Sequence, residues 1–317
     1  MVGTECVNYR HQTKLNSSVP FVDPVAPFLR SVASVFLRGL APALAVTAAL
    51  TAAQPAAPRL TADTVARRIQ DRDLGRDSRV TMRMKLADRH GRLRERVLEV
   101  ATLRGREAPG AATGALDGDR RLIRFSYPND IRGTGFLVWE HPSSEDERFL
   151  FLPSLGRGRR IAGSETQDSF VGSDFTYEDI GGRELDEYTY SFAGADGESA
   201  SWTEPGGQPR PAWRLESKRK DASAPFPRAV SLVLKDSLLV VQADVFNRRN
   251  ERQKVYTVRK IERIEAIWTV MDSEMVNASE KTRTELLVER ADYNVGLKEA
   301  DFSRRELERG AGRAGGG

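Results

Sequence analysis

The sequence predicts a mainly β protein built on one large, strongly curved antiparallel sheet. Three observations carry this. From Val80 onward, apolar and polar residues alternate with a period of two in run after run. Turn-forming residues separate the runs at short intervals, as a meander requires. Helical periodicity is confined to short stretches near the two ends. A sheet of about ten strands must curl or close to cover its apolar face. With so little helix to pack on it, that face is expected to enclose a cavity rather than a solid interior.

The elements follow in order. LTADTVARRIQDRD (60–73) reads as a short helix, with Thr61 or Asp63 as cap and Val65, Ala66 and Ile69 as its apolar stripe. Val80, Met82, Met84 and Leu86 then alternate with Thr81, Arg83 and Lys85 in a first strand. DRHG turns the chain and LRERVLEVATL returns it. RLIRFSY, GTGFLVWE, ERFLFLP and GRGRRIAG continue the series. DEYTYSFAG, SASWTE, AWRLESKR, RAVSLVLKD and LLVVQADVFN follow. RQKVYTVRKIERI, AIWTVMD and TRTELLVERADYNV complete it. GADG (194–197) and FNRRNE (246–251) are the clearest turns between them. SRRELERG offers one or two closing helical turns, and residues 309–317 read as a disordered Gly-rich tail. No Pro/Ser linker divides the body, so residues 54–308 are expected to form a single domain.

The N-terminus reads as a leader. Arg30 and Arg38 flank an apolar run from Leu40 to Ala53, which ends in Thr51, Ala52 and Ala53, a signal-peptidase pattern. The run is shorter than the roughly 20 residues of a spanning helix. Residues 1–25 lack this pattern, and no Met occurs between Met1 and Met82. They are read as an over-extended start, with Val25 or Leu29 as alternative starts, or as a disordered leader. Export by a cleavable signal places the chain in the periplasm. Cys6, the single cysteine, lies upstream of the cut, so no disulfide is expected in the mature chain.

Composition excludes several function classes. Lys plus Arg number 49 against 45 Asp plus Glu, a net charge of +4. The two signs are mixed along the chain, and the local basic cluster is RGRR at 157–160. No nucleic-acid module or basic face accompanies it. The three histidines, His11, His90 and His141, form no metal-ligand spacing. No cofactor and no metal are expected. No G-x-S-x-G elbow or phosphate loop occurs. Asp174, Glu178 and Asp179 are the best candidates for acid–base chemistry. They read more simply as caps and turn acceptors in an irregular loop. Arg157, Arg159 and Arg160 suit either contact with anionic lipid headgroups or a charged sheet edge that resists association.

The stretch RIAGSETQDSFVGSDFTYEDI (160–180) fits neither period. It places Phe170, Phe175 and Tyr177 among Gly163, Gly172 and many polar residues. Loops are usually polar, so these aromatics either plug the loop onto a core or line a binding site. Gly163 and Gly172 would permit the tight turns needed.

RFSYPNDIRGTGFLVWE, RFLFLPSLGRGRRIAGSETQDSFVGSDFTYEDI and DEYTYSF together resemble the outer-membrane lipoprotein-sorting proteins, the LolA-like family of Gram-negative bacteria. The resemblance rests on Leu152-Pro153, the basic run Arg157 to Arg160, Ser169-Phe170, Gly172-Ser173-Asp174-Phe175 and Asp179. It implies an incomplete, strongly curved β-barrel, LolA/LolB-like, with a few helices covering the concave side. It implies a monomeric, non-enzymatic carrier of lipid or lipoprotein acyl chains. An inner-membrane exporter of the RND type and an outer-membrane acceptor would be its partners. Candidate lipid-lining residues are Phe136, Trp139, Phe149 and Phe151 on the strands, with Phe170, Phe175 and Tyr177 in the loop. Two alternatives stay open: a module bridging a transporter without cargo, and a hydrolase using the loop carboxylates.

Overall fold

A computed structural model of the chain describes residues 60–105, 118–141 and 144–309. The leader, its cleavage region, Cys6, His11 and the Gly-rich tail lie outside the described residues.

Helix α1 (Ala62–Gln70) forms where its cap and stripe indicate. Thr61 is extended and its hydroxyl accepts the N–H of Thr64 at 3.2 Å; Ala62, Val65 and Ala66 are buried. The strands then run in the expected sequence. β1 (Asp77–Ala87), β2 (Leu93–Leu103), β3 (Arg120–Tyr127), β4 (Gly135–Trp139), β5 (Glu147–Leu152) and β6 (Arg157–Arg160) form a first meander. The irregular stretch follows and contains the one-turn helix α2 (Tyr177–Gly181). After it come β7 (Tyr188–Phe192), β8 (Ala200–Thr203), β9 (Pro209–Arg219), β10 (Arg228–Leu234) and β11 (Val240–Phe246). β12 (Arg252–Ile264), β13 (Ile267–Asn277), β14 (Thr282–Tyr293) and α3 (Arg304–Arg309) complete the chain.

Among the described residues the sheet has fourteen strands, not about ten. Every alternating run pairs, including the four-residue β6 and β8, because an edge position needs a partner on one side only. The order is β6-β5-β4-β3-β2-β1-β14-β13-β12-β11-β10-β9, with β7 and β8 both on the far side of β9. All neighbours are antiparallel, and the two meanders meet where β1 pairs with β14, from Ser78↔Tyr293 to Ala87↔Arg283. The path does not close on itself. β6 stands at one edge and β7 and β8 at the other.

Period-two parity separates the faces. Along the centre, the outward residues are charged: Arg79 pairs with Glu99, and Arg83 with Glu95 at 3.1 Å and Glu289 at 2.6 Å. The inward residues are apolar. Met84, Leu98, Ile123, Phe125, Phe136, Val138 and Leu150 form one core with Phe170 and Tyr177. The opposite face of β2–β5 has its own cluster, in which Leu122, Leu137, Phe149 and Phe151 pack under Phe302 and Leu307 of the C-terminal segment. Helix α1 sits on Trp213, Leu215 and Val233. Those β9 side chains share parity with Ser217, which faces the same interior as Lys254 and Glu178. Helices α1 and α2 therefore lie on the concave side, and α3 lies on the convex side.

The concave face as candidate functional site

The chain from 161 to 187 leaves the β6 edge and reaches the β7 edge by crossing the inside of the curve. Its aromatic residues are the fasteners. Phe170 is fully buried, with ring centroids 5.9 Å from Phe125, 5.6 Å from Phe136 and 5.6 Å from Tyr177, the last two edge-on. Phe175 turns the other way, 6.2 Å from Tyr256 on β12. All three loop aromatics are inside. The backbone is pressed onto the sheet as well: a Cβ on Gly181 would stand 3.2 Å from the Phe136 ring.

Two residues bear the tightest turn of this segment. Gly172 is left-handed at φ 73°, as its identity suggests. Val171 is also left-handed, at φ 49° and ψ 38°, where a β-branched side chain is strained. Arg96 Nη1 holds it, donating to the Val171 carbonyl at 2.5 Å. Gly163 opens a single 3-10 turn without a positive φ. The other left-handed glycine is Gly182, just after α2.

The carboxylates of the segment are its polar fasteners. Asp174 accepts from the hydroxyls of Thr282 and Thr284 on β14, and Lys254 Nζ donates to the Asp174 carbonyl at 2.8 Å. Asp179 completes a capping box with Thr176 and pairs with Arg183 at 3.0 Å. Glu178 accepts from the Tyr188 hydroxyl and from Arg219 at 2.5 Å, and also meets Arg183 at 3.2 Å. Burial is the main cause that pushes the Tyr188 phenol above its usual range and the Lys254 ammonium below its own. Between these groups lies a small, partly open cavity of about 20 Å³, room for water rather than substrate. At the edge of the segment, fully buried Arg148 meets Asp146 at 2.9 Å and Glu184 at 3.0 Å.

Sequence reading did not single out Arg148, Tyr188, Arg219 or Lys254. Their signal was available in parity. Each is a polar residue at an inward position of an otherwise alternating strand.

The rest of the concave face is less covered. Val80 and Met82 on β1, Val100 on β2, and Leu286, Val288 and Ala291 on β14 point inward and are only half-buried. They are neighbours through the ladder, with Val80 opposite both Ala291 and Val100. An inward apolar stripe on three adjacent strands is the part of the fold best suited to receive a hydrocarbon chain.

Of the strand aromatics, Phe136 joins Phe170 and Tyr177 on this face. Trp139, Phe149 and Phe151 are on the opposite one, where Trp139 Nε1 donates to the Phe302 carbonyl at 2.7 Å and Arg304 lies 4.8 Å over the Phe149 ring. The structure thus divides these residues between two faces. On the edge strand, Arg159 pairs with Glu165 at 2.9 Å and Arg160 meets Glu145 at 3.9 Å, while Arg157 is exposed. His90 is exposed at its hairpin, and His141 meets Glu147 at 3.3 Å.

Comparison with known proteins gives a consistent picture. A family model described as an uncharacterized protein matches residues 117–309. A crystal structure of a DUF1329 family protein from Desulfovibrio piger is 27% identical, covering 78% of this chain and 97% of that one, with a TM-score of 0.65. A putative outer membrane lipoprotein-sorting protein domain from Vibrio parahaemolyticus is 26% identical over 78% and 98%, with a TM-score of 0.64. A LolA superfamily protein from Nitrosomonas europaea has the same fold at 12% identity, covering 78% and 100% at a TM-score of 0.56. Nothing among curated proteins matches the chain.

Proposed function

The chain belongs to the LolA-like family of outer-membrane lipoprotein-sorting proteins, and from that premise we propose that it carries lipid acyl chains through the periplasm toward the outer membrane. The observation that carries this reading is the half-buried apolar stripe of β14, β1 and β2 on the concave face. A soluble carrier needs an apolar surface that is sheltered but not already filled. Here α1 lies on β9 and β10 and the 161–187 segment crosses the sheet, its core packing against Met82, Val100 and Leu286 and leaving these stripe residues only half-buried. Burying an acyl chain contributes about 0.8 kcal/mol per CH₂, so a dozen buried methylenes suffice for firm binding.

The role is transport and not catalysis. Asp174, Glu178 and Asp179 each have structural partners, which supports their reading as fasteners. Release then depends on an acceptor of higher affinity or on a membrane partner such as an inner-membrane exporter. Arg157, on the open β6 edge, is the residue of the basic run most available to a headgroup or an acidic partner; Arg159 and Arg160 are engaged with Glu165 and Glu145.

The test is lipid extraction and native mass spectrometry of the chain purified from a periplasmic fraction. Acyl lipid in stoichiometric amount, displaceable by added fatty acid, is the expected result. A chain that carries no lipid and binds none would favour the module that bridges a transporter without cargo.

A further inference from the structure

The half-buried stripe changes chemistry along its length, in the same direction on every strand. On β2 the inward residues run Leu98, Val100, Thr102, and Arg104 follows just past the strand end; on β3 they run Phe125, Ile123, Arg121. On β1 they run Met84, Met82, Val80, Ser78, and on β14 Leu286, Val288, Ala291, Tyr293. The ladder aligns these sequences, since Ser78 is opposite both Thr102 and Tyr293, and Thr102 is opposite Arg121. An apolar floor therefore gives way to a row of hydroxyls and then to guanidinium groups. Met84, Leu98 and Phe125 are already buried under the crossing segment, so the half-buried floor is the part from Met82 to Val80, about 7 Å of strand, ending at buried Ser78. Its order, apolar then hydroxyl then cationic, is the polarity profile of an amphiphile.

Arg72 enters the guanidinium end from the turn after α1. Its Nη1 donates to the Ile69 carbonyl at 3.2 Å, and its own carbonyl accepts from Arg104 Nη1 at 3.1 Å. Among the described residues its Nε is buried with no hydrogen-bond partner. Arg121 Nη1 donates to the Ile180 carbonyl at 3.0 Å, which ties the same end to the crossing segment. The carboxylates there are Asp119, 3.5 Å from Arg104, and Glu140, which with Arg121 flanks Gly182. Asp71 and Asp73 flank Arg72 in the same turn. Burial, then the nearness of Arg121 and Arg104, depresses the Arg72 guanidinium below its ordinary range.

We propose that Arg72, Arg104 and Arg121 form the headgroup end of the concave site, and that its ligand is an anionic amphiphile whose carboxylate or phosphate head meets these guanidiniums while its chain lies on Val80, Met82 and Val100. This rests on the carrier reading above and adds the charge class of the cargo. Guanidinium suits both heads, since its planar fork pairs with two oxygens at once. The hydroxyl row is the natural site for the ester or glycerol region.

The test compares palmitate, hexadecanol and inorganic phosphate as probes on the delipidated full chain, by displacement of an apolar dye and by native mass spectrometry. Palmitate should bind at least about tenfold more tightly than hexadecanol, the scale of one charge-assisted hydrogen bond. Arg72→Gln and Arg121→Gln should each lower palmitate affinity about tenfold and leave hexadecanol unchanged. Arg72→Lys should retain most of the preference. Equal affinity of the wild type for palmitate and hexadecanol overturns the proposal while leaving the carrier reading intact. Equal loss of both probes in the Gln variants also overturns it, since that marks a purely structural role. Phosphate that binds without competing with palmitate points to a free-anion site and overturns the amphiphile. If neither palmitate nor hexadecanol binds, the carrier reading itself fails.

Discussion

Truncating Phe170 separates a plug from a lid. The side chain is fully buried against three other aromatic rings, and it lies on β3 and β4 rather than on the half-buried stripe. Phe170→Ala should cost about 3–5 kcal/mol, the usual range for a core phenylalanine. At about 2–4 °C per kcal/mol for a domain of this size, the melting temperature should fall by roughly 6–20 °C. Calorimetry or circular-dichroism melts measure the loss, and dye displacement by palmitate at a temperature where the variant is folded measures affinity. A plug predicts a large drop in stability with affinity per folded molecule unchanged. Full stability with a tenfold loss of affinity would show that Phe170 lines the cargo site, and the assignment of the segment as a fastened plug would be wrong. The same pair of measurements places Phe175 and Tyr177. Phe175, packed on Tyr256, and Tyr177, packed on Phe136 and Phe170, are both expected to behave as plug.

Other outcomes follow from the polar fasteners and the strained turn. Asp146→Asn leaves fully buried Arg148 with Glu184 as its remaining ion-pair partner, and should cost about 1–3 kcal/mol in chemical denaturation; no measurable loss would mean that the pair is not sealed from water. Tyr188 has a folded-state pKa above its ordinary value of 10.0, chiefly through burial. Its contribution is therefore complete below pH 10 and is lost as pH rises beyond it. The wild-type stability curve should fall on that alkaline limb, and Tyr188→Phe should flatten it; an unchanged alkaline limb contradicts the burial. Val171→Gly removes the left-handed strain of about 1–2 kcal/mol that a side chain feels there. Its stability should stay level or rise by up to about 1 kcal/mol, whereas a cost near 2 kcal/mol would show that Val171 packing outweighs its backbone conformation.

How much of this was legible in the sequence differs from element to element. Alternation in fourteen runs marked the strands, and the Thr61 cap with its apolar stripe marked α1, because both signals are local. All fourteen runs were named, and the estimate of about ten strands in one sheet fell short because which runs pair into one ladder is decided by tertiary partners, not by the local pattern. The aromatic loop was visible as an anomaly, and its inward placement follows from the aversion of large apolar rings to water. Its path was not visible. That it crosses the concave face depends on β6 and β7 being opposite edges of one sheet, which no local pattern encodes.

The candidate site shows the same division. Parity told which side chains of one strand share a face, but not which face of the next strand lies with it. Phe136 and Trp139 differ by three positions, so they had to part, and Phe149 and Phe151 went with Trp139 once the β4–β5 register paired Leu137 with Phe149. The arginines at 72, 104 and 121 are scattered in a chain rich in arginine, and nothing in their spacing connects them. The sequence by itself determined the β class, the helix at Thr61 and the burial of the loop aromatics, since these rest on interactions within a few residues. Tertiary structure alone decided the coverage of each face, the half-buried stripe and the gathering of three guanidiniums at its end, because register and chain path bring together residues that share no local pattern.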